Sequence, residues 1–154
     1  LRDIFPHPYR LADAEARISR VGQVDPPHAL AIVVEGRAVG GVGIEPMTDV
    51  NRRSAEIGYW LGADYWGRGI ETEAVTLVTD WAFGAHQLLR IFAQPFTSNA
   101  ASRRVLEKAG YALEGIMKRS AIKDGMALDQ CMYARLSPNA LRRSAKMIRV
   151  CSAR

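Results

Sequence analysis

Ser54-Ala-Glu-Ile-Gly-Tyr-Trp-Leu61, Gly62-Ala-Asp-Tyr-Trp-Gly-Arg-Gly69 and Ile70-Glu-Thr-Glu-Ala-Val-Thr-Leu-Val-Thr-Asp-Trp-Ala-Phe-Gly-Ala85 follow one another without a break, and the fold is read from them. The first segment alternates as a strand does, with Ile57, Tyr59 and Leu61 on one face and Glu56, Gly58 and Trp60 on the other. The second is a glycine-containing turn. In the third, Ile70, Ala74, Leu77, Val78, Trp81, Ala82 and Ala85 recur at three- and four-residue spacing, which predicts a core-facing helix of about four turns. A strand entering a helix through Gly67-Arg-Gly69 can bind an anion: glycines permit close backbone approach, and the first-turn N–H groups and helix dipole point outward. A tight loop with no ligand accounts for the same two glycines equally well. The turn lacks the Gly-Lys-Ser/Thr ending of a nucleotide-hydrolysing loop, which disfavours ATP or GTP hydrolysis.

N-terminal to this block, Leu11, Ala14 and Ile18 predict a helix over Pro8 to Val21, stopped by Asp25-Pro-Pro27. Ala29 to Glu35 and Ala38 to Glu45 read as an antiparallel hairpin turning at Gly36 and Arg37, and Pro46 ends its second strand. Gly40-Gly-Val-Gly43 lies inside that strand and predicts a bulge or a close backbone contact, not a dinucleotide fingerprint. On the C-terminal side a strand from Leu89 to Phe96 precedes a helix from about Asn99 to Ala109 with Gly110 as its left-handed cap. Two strands, Tyr111 to about Ile122 and Met126 to Leu136, turn at Asp124-Gly125. The order predicts an α/β domain with a mixed sheet over residues 1–136, followed by a basic tail at 137–154.

Composition narrows the function classes. With 154 residues, 48% apolar and 24% charged, the chain has the make-up of one globular domain. Its longest apolar run, Ala29 to Val34, is far short of the ~20 residues that cross a bilayer, so a soluble protein with no membrane partner is expected. Two cysteines, Cys131 and Cys151, suggest neither a disulfide framework nor a four-ligand zinc site, and a reducing cytoplasm is the expected compartment. The net charge of +5 invites a nucleic-acid reading, but residues 1–136 carry 16 Lys/Arg against all 16 Asp/Glu. The excess therefore resides in Arg142, Arg143, Lys146, Arg149 and Arg154, and a polyanion argument rests on the tail alone.

Glu56-Ile-Gly-Tyr-Trp-Leu61, Tyr65-Trp-Gly-Arg-Gly-Ile70 with Glu73-Ala74, Asn99-x-x-Ser102, Leu106-Glu-Lys-Ala-Gly-Tyr111 and Glu114-Gly115 together resemble the GNAT superfamily of N-acetyltransferases, in its RimJ/RimL-like branch. The resemblance runs from roughly Ala29 to Leu136. It implies a mostly antiparallel sheet with two splayed parallel central strands, flanked by helices, acetyl-coenzyme A as donor, a primary amine as acceptor and no metal. It places pantetheine between Ser54 to Leu61 and Leu89 to Phe96, its amides against the backbone of Tyr59, Trp60 and Leu61, with Asn99 near the arm. The pyrophosphate then lies over Trp66, Gly67, Arg68, Gly69, Ile70 and Thr72. A protein N-terminus is the favoured acceptor in that branch, with polyamines, aminoglycosides and amino acids as competitors. Ribosome association and a homodimer are left open.

The chain departs from the family pattern at three places. Asp64 stands where the phosphate motif usually begins with Gln or Arg, and Arg68 inside the turn is expected to offset it. Leu106 occupies the place of the tyrosine that protonates the leaving thiolate in many members, so Ser102 is the expected acid. The strand and helix that family members carry ahead of the Pro8 to Val21 helix are expected to be lacking. Glu56, or a water, is the expected base. Other readings stand beside these: Asn99 and Ser102 suit a helix start, Glu56 suits a pair with Arg52 or Arg53, and Asp129 suits a structural acceptor. His7, His28 and His86 have no metal-like spacing. A non-catalytic coenzyme A-binding module and a ribosome-binding protein using the tail are the rival functions.

Overall fold

In the computed structural model the described residues are 8, 10–21 and 25–138. Of the expected basic tail, residues 139–154 lie outside them. The chain forms α1 (Leu11–Val21), β1 (Ala29–Val34), β2 (Arg37–Pro46), β3 (Ser54–Leu61), α2 (Ile70–Ala85), β4 (Arg90–Ala93), α3 (Ala100–Lys108), β5 (Ala112–Lys123) and β6 (Met126–Leu136). Single 3-10 turns at Asp49–Asn51 and Ala63–Tyr65 flank β3. Six strands make one sheet in the order β1-β2-β3-β4-β6-β5. Every neighbouring pair is antiparallel except β3 and β4, which run parallel. This is the mixed, helix-flanked sheet that the sequence predicts.

The first hairpin turns one residue earlier than expected, at Glu35 and Gly36, where φ is +50° and +76°. Two successive left-handed residues match the twist of the flanking strands, a constraint Gly36 meets and Arg37, already paired with Val34, does not need to. The α1 helix begins at Leu11, later than the expected Pro8, with Arg10 N donating to Asp13 Oδ2 at 2.8 Å. Leu11 and Ile18 are 75% and 72% exposed. Regular pairing in β4 covers only Arg90–Ala93 of the expected Leu89 to Phe96, because the chain beyond it is held by side chains and by one isolated bridge.

The core lies where α2 and α3 cover the sheet, built on Ile57, Val75, Val78, Ala82, Ile91, Leu106 and Tyr133. The buried face of α2 is rotated from the expected stripe: Val75, Val78, Thr79, Ala82 and Phe83 are buried, whereas Leu77 is 62% and Trp81 37% exposed. Thr79 escapes an apolar count, yet its hydroxyl donates to Val75 O at 2.7 Å and meets Tyr111 OH at 2.7 Å, which satisfies both buried groups. Leu106 on α3 is fully buried.

The glycine run in β2 is a close-approach device. A Cβ on Gly40 would stand 2.5 Å from Trp60 O, and one on Gly41 2.8 Å from Trp60 Nε1. Pairing of Gly40 with Leu61 and Gly41 with Trp60 therefore depends on absent side chains, and it fixes the end of β3 where the site lies. Gly58, one strand over, faces open space. Gly40→Ala should lower stability by about 1–3 kcal/mol in urea unfolding, as overpacking against backbone does, while Gly58→Ala stays within ~0.5 kcal/mol of the parent.

Candidate active site

β3 and β4 share only three parallel pairs, Ser54 with Arg90, Ala55 with Ile91 and Glu56 with Phe92. β3 then continues along β2 as far as Leu61. The chain after β4 stays with β6 instead: Cys131 N donates to Pro95 O at 2.8 Å, Thr97 N to Asp129 O at 3.0 Å, and Gln130 Nε2 to Gln94 O at 2.9 Å. The two central strands thus part beyond Glu56, and an opening lies between Ile57–Leu61 and residues 94–97.

The backbone that faces this opening follows from the pleat. Met47 N donates to Ser54 O at 2.9 Å and Gly62 N donates to Val39 O at 2.8 Å, so even-numbered β3 residues turn their peptide groups to β2. Alternation turns those of Ile57, Tyr59 and Leu61 the other way, toward the opening. Of the three expected backbone contacts, Tyr59 and Leu61 are on the open edge, and Trp60 is turned into the sheet. The Leu61 carbonyl already accepts Trp66 Nε1 at 2.8 Å. That leaves Tyr59 as the residue of the three with both peptide groups turned to the opening and neither engaged by a side chain among the described residues.

The Tyr59 side chain lies on the helix-covered face, packed against the core and half-buried. Its hydroxyl is 2.8 Å from Ser102 Oγ and donates to Ser102 O at 3.2 Å, bridging β3 to the first turn of α3. Burial pushes the phenol above its ordinary range, against the Ser102 hydrogen bond, and the nearby Glu71 charge adds to the rise. Asn99 caps α3, its Oδ1 accepting from Ser102 N at 3.0 Å, so the helix-start reading of Asn99 and Ser102 holds. The structure adds to it that Ser102 faces Tyr59. The sequence carried a signal for this contact: Tyr59 is the only hydroxyl-bearing residue among the inward positions Ala55, Ile57, Tyr59 and Leu61.

Glu56 leaves the opposite face of β3, beside Glu45 on β2. Glu56 and Ser102 therefore approach the opening from opposite sides of the sheet. Arg52 Nη1 donates to Asp49 O and Arg53 Nε to Gln87 O. Asp129 is a structural acceptor, taking hydrogen bonds from Arg119 N at 2.8 Å and Lys118 Nζ at 2.9 Å. The Lys118 bond, with that from the Arg119 amide, holds its carboxyl below the ordinary range.

At the upper end of the opening, Gly67 and Gly69 have φ of +74° and +81°, and Gly69 is the N-cap of α2 without a side-chain cap. Glu73 N makes the first helical bond, to Gly69 O, so the N–H groups of Ile70, Glu71 and Thr72 have no acceptor within the helix. Arg68 lies over the Tyr65 ring at 5.5 Å, and Trp66 is 67% exposed. Two acids sit in this first turn, Glu71 and Glu73. Glu71 is half-buried, and desolvation raises its carboxyl above the usual range.

Residues 1–112 match the family described as acetyltransferase (GNAT) domain. The chain is 39% identical over 105 residues to the probable N-acetyltransferase YjcK of Bacillus subtilis (strain 168), covering 68% of this chain and 58% of that protein. It is 28% identical over 105 residues to the ribosomal-protein-serine acetyltransferase of Escherichia coli (strain K12), again covering 68% and 58%. Among solved structures, Mycobacterium smegmatis RimJ in complex with CoA-disulfide aligns with a TM-score of 0.73 and 32% identity, covering 84% of this chain and 63% of that one. The chain thus spans rather more than half the length of these relatives.

The Glu71 geometry has a pH signature. A carboxyl with a raised folded-state pKa binds its proton more tightly in the native protein than in the unfolded chain, so stability falls as pH rises through that interval. Glu71→Gln should therefore unfold at higher urea concentration than the parent at neutral pH. The difference should vanish below about pH 4, where the unfolded-state carboxyl is protonated as well.

Proposed function

Because the chain belongs to the GNAT acetyltransferase family, we propose that it moves the acetyl group of acetyl-coenzyme A to a primary amine by direct attack, with a protein or peptide N-terminus as the favoured acceptor. The observation that carries this reading is the opening beyond Glu56, where an unpaired strand edge, the Ser102 hydroxyl and the α2 helix start stand in sequence. The residues fit the donor chemically. An arm bearing amides can pair with the Tyr59 peptide groups as an added strand would, and a pyrophosphate suits three first-turn N–H groups behind two left-handed glycines. Glu71 and Glu73 oppose that anion, and the Arg68 guanidinium at the same turn offsets them.

The bound thioester supplies an already activated acyl group, so this chain has three tasks. The Tyr59 edge and the α2 start hold and orient the donor. Glu56, directly or through a water, takes a proton from the acceptor ammonium on the face opposite the helices, freeing the neutral amine to attack the thioester carbon. Ser102 gives its hydroxyl proton to the departing sulfur. Kinship with a protein named for ribosomal-protein serine acetylation supports a protein acceptor.

The reading is tested by acetyl-coenzyme A-dependent thiol release with peptides bearing free N-termini, their N-blocked counterparts, polyamines, aminoglycosides and amino acids. Turnover is expected with free-N-terminal peptides, and release only with small amines would replace the acceptor class. Gly69→Val should abolish tight coenzyme A binding in calorimetry, because a β-branched residue is strained at that left-handed position. Ser102→Ala should lower kcat by about 10²–10⁴ with little change in donor affinity, the range for loss of a general acid. A Gly69→Val protein that binds like the parent would move the donor site elsewhere.

A further inference from the structure

Ser102 can act on a sulfur atom only if its single proton points into the opening. The hydroxyl has a neighbour that decides this. Tyr59 OH lies 2.8 Å from Ser102 Oγ and 3.2 Å from Ser102 O. Two arrangements of the protons are available. If Ser102 donates to Tyr59 and Tyr59 donates to the Ser102 carbonyl, the short chain closes on itself and the seryl proton is turned away from the opening. If Tyr59 donates to Ser102 Oγ, the seryl proton is released for another acceptor. An anionic sulfur favours the second arrangement, because the charge-assisted hydrogen bond it receives is about twice as strong as a neutral one.

We propose that Tyr59 is a positioning residue for Ser102: by donating its hydroxyl proton to Ser102 Oγ across the opening, it aims the seryl proton at the departing thiolate. The inference rests on the acetyl-transfer reading above. In the step, the Ser102 Oγ–H bond breaks and a sulfur–hydrogen bond forms. The electron pair left on Oγ is held by the Tyr59 hydrogen bond until a proton returns from solvent. The Tyr59 O–H bond itself does not break, in keeping with a buried phenol whose affinity for its proton is raised. The charged or titratable groups acting on Tyr59 are Glu71 from α2, Tyr111 and Tyr133, and none of them favours the phenolate. Asn99 completes the arrangement by holding Ser102 N, so the backbone of Ser102 is fixed from one side and its side chain from the other. Leu106 is buried in the core, and this pair brings a tyrosine to the acid from the strand instead of from the helix.

Tyr59→Phe removes one oxygen and keeps the ring against the core, so a cycle with Ser102→Ala separates positioning from packing. Tyr59→Phe alone should lower kcat at least tenfold and leave KM for acetyl-coenzyme A within about twofold, as loss of one hydrogen bond to a developing charge does. In the Ser102→Ala background the same change should have no further effect on kcat. An equal loss in both backgrounds, or no loss in either, overturns the proposal. A second readout needs no turnover: ultraviolet titration of the thiol of bound coenzyme A. Its pKa should lie below that of free coenzyme A in the parent and return toward the free value in Tyr59→Phe and in Ser102→Ala alike. Identical titrations in parent and Tyr59→Phe overturn the proposal even if turnover is normal. If the parent binds coenzyme A but acetylates no amine, the acetyl-transfer reading falls and the thiol titration still decides the role of Tyr59. If it does not bind coenzyme A, both fall.

Discussion

A β-sheet that stops pairing in its own middle leaves backbone donors and acceptors without partners, and each such group costs about 1–3 kcal/mol if it is also cut off from water. The parting of β3 from β4 after Glu56 is the constraint on which the rest of the molecule depends. Each strand must be held from its outer side for the sheet to survive it. β3 is held by an unbroken register with β2 from Pro46–Ala55 to Gly40–Leu61, and the chain beyond β4 is held by β6 through Pro95, Thr97 and the Gln130 side chain. The cost is tolerable where such an edge keeps contact with water.

Several features that look unrelated serve this division. Gly40 and Gly41 let the end of β3 lie close against β2, and the Trp60 indole fills the space that a side chain on Gly41 would take. Trp66 folds back to the Leu61 carbonyl, which ends the strand and sets the departure of the turn toward α2. Thr79 and Tyr111 satisfy each other beneath α2, so the helix whose start faces the opening is locked to the sheet by a buried hydrogen bond as well as by Val75 and Val78. Across the opening itself, a Tyr59–Ser102 hydrogen bond ties β3 to α3.

Much of this was legible in the sequence because the relevant signals are local. Alternation in Ser54–Leu61, the left-handed glycines at positions 67, 69 and 110, and the Asp124-Gly125 turn each determine their own conformation through the backbone. What the sequence misplaced depends on distant contacts. Leu77 and Trp81 fit the period of a core helix, but the sheet reaches only the side that carries Val75, Thr79 and Phe83. Ser102 and Tyr59 are 43 residues apart: the sequence marks Tyr59 as the hydroxyl-bearing residue on the inward face of β3, but only the fold sets which partner it meets. The resemblance implies backbone contacts at Tyr59, Trp60 and Leu61 alike, whereas the pleat turns the peptide groups of Trp60 into the sheet. Asn99 starts α3, as the sequence predicts, and its side chain fixes the backbone of Ser102.

The account stands or falls on whether the open edge of β3 is where the donor lies. Amide-resolved hydrogen exchange with and without coenzyme A measures this directly. Binding should slow exchange at Tyr59, at Ile70 to Thr72 and in the first turn of α3, and leave the outer strands β1 and β5 unchanged. Protection confined to other parts of the sheet, with Tyr59 and the α2 start exchanging as in the free protein, would contradict it.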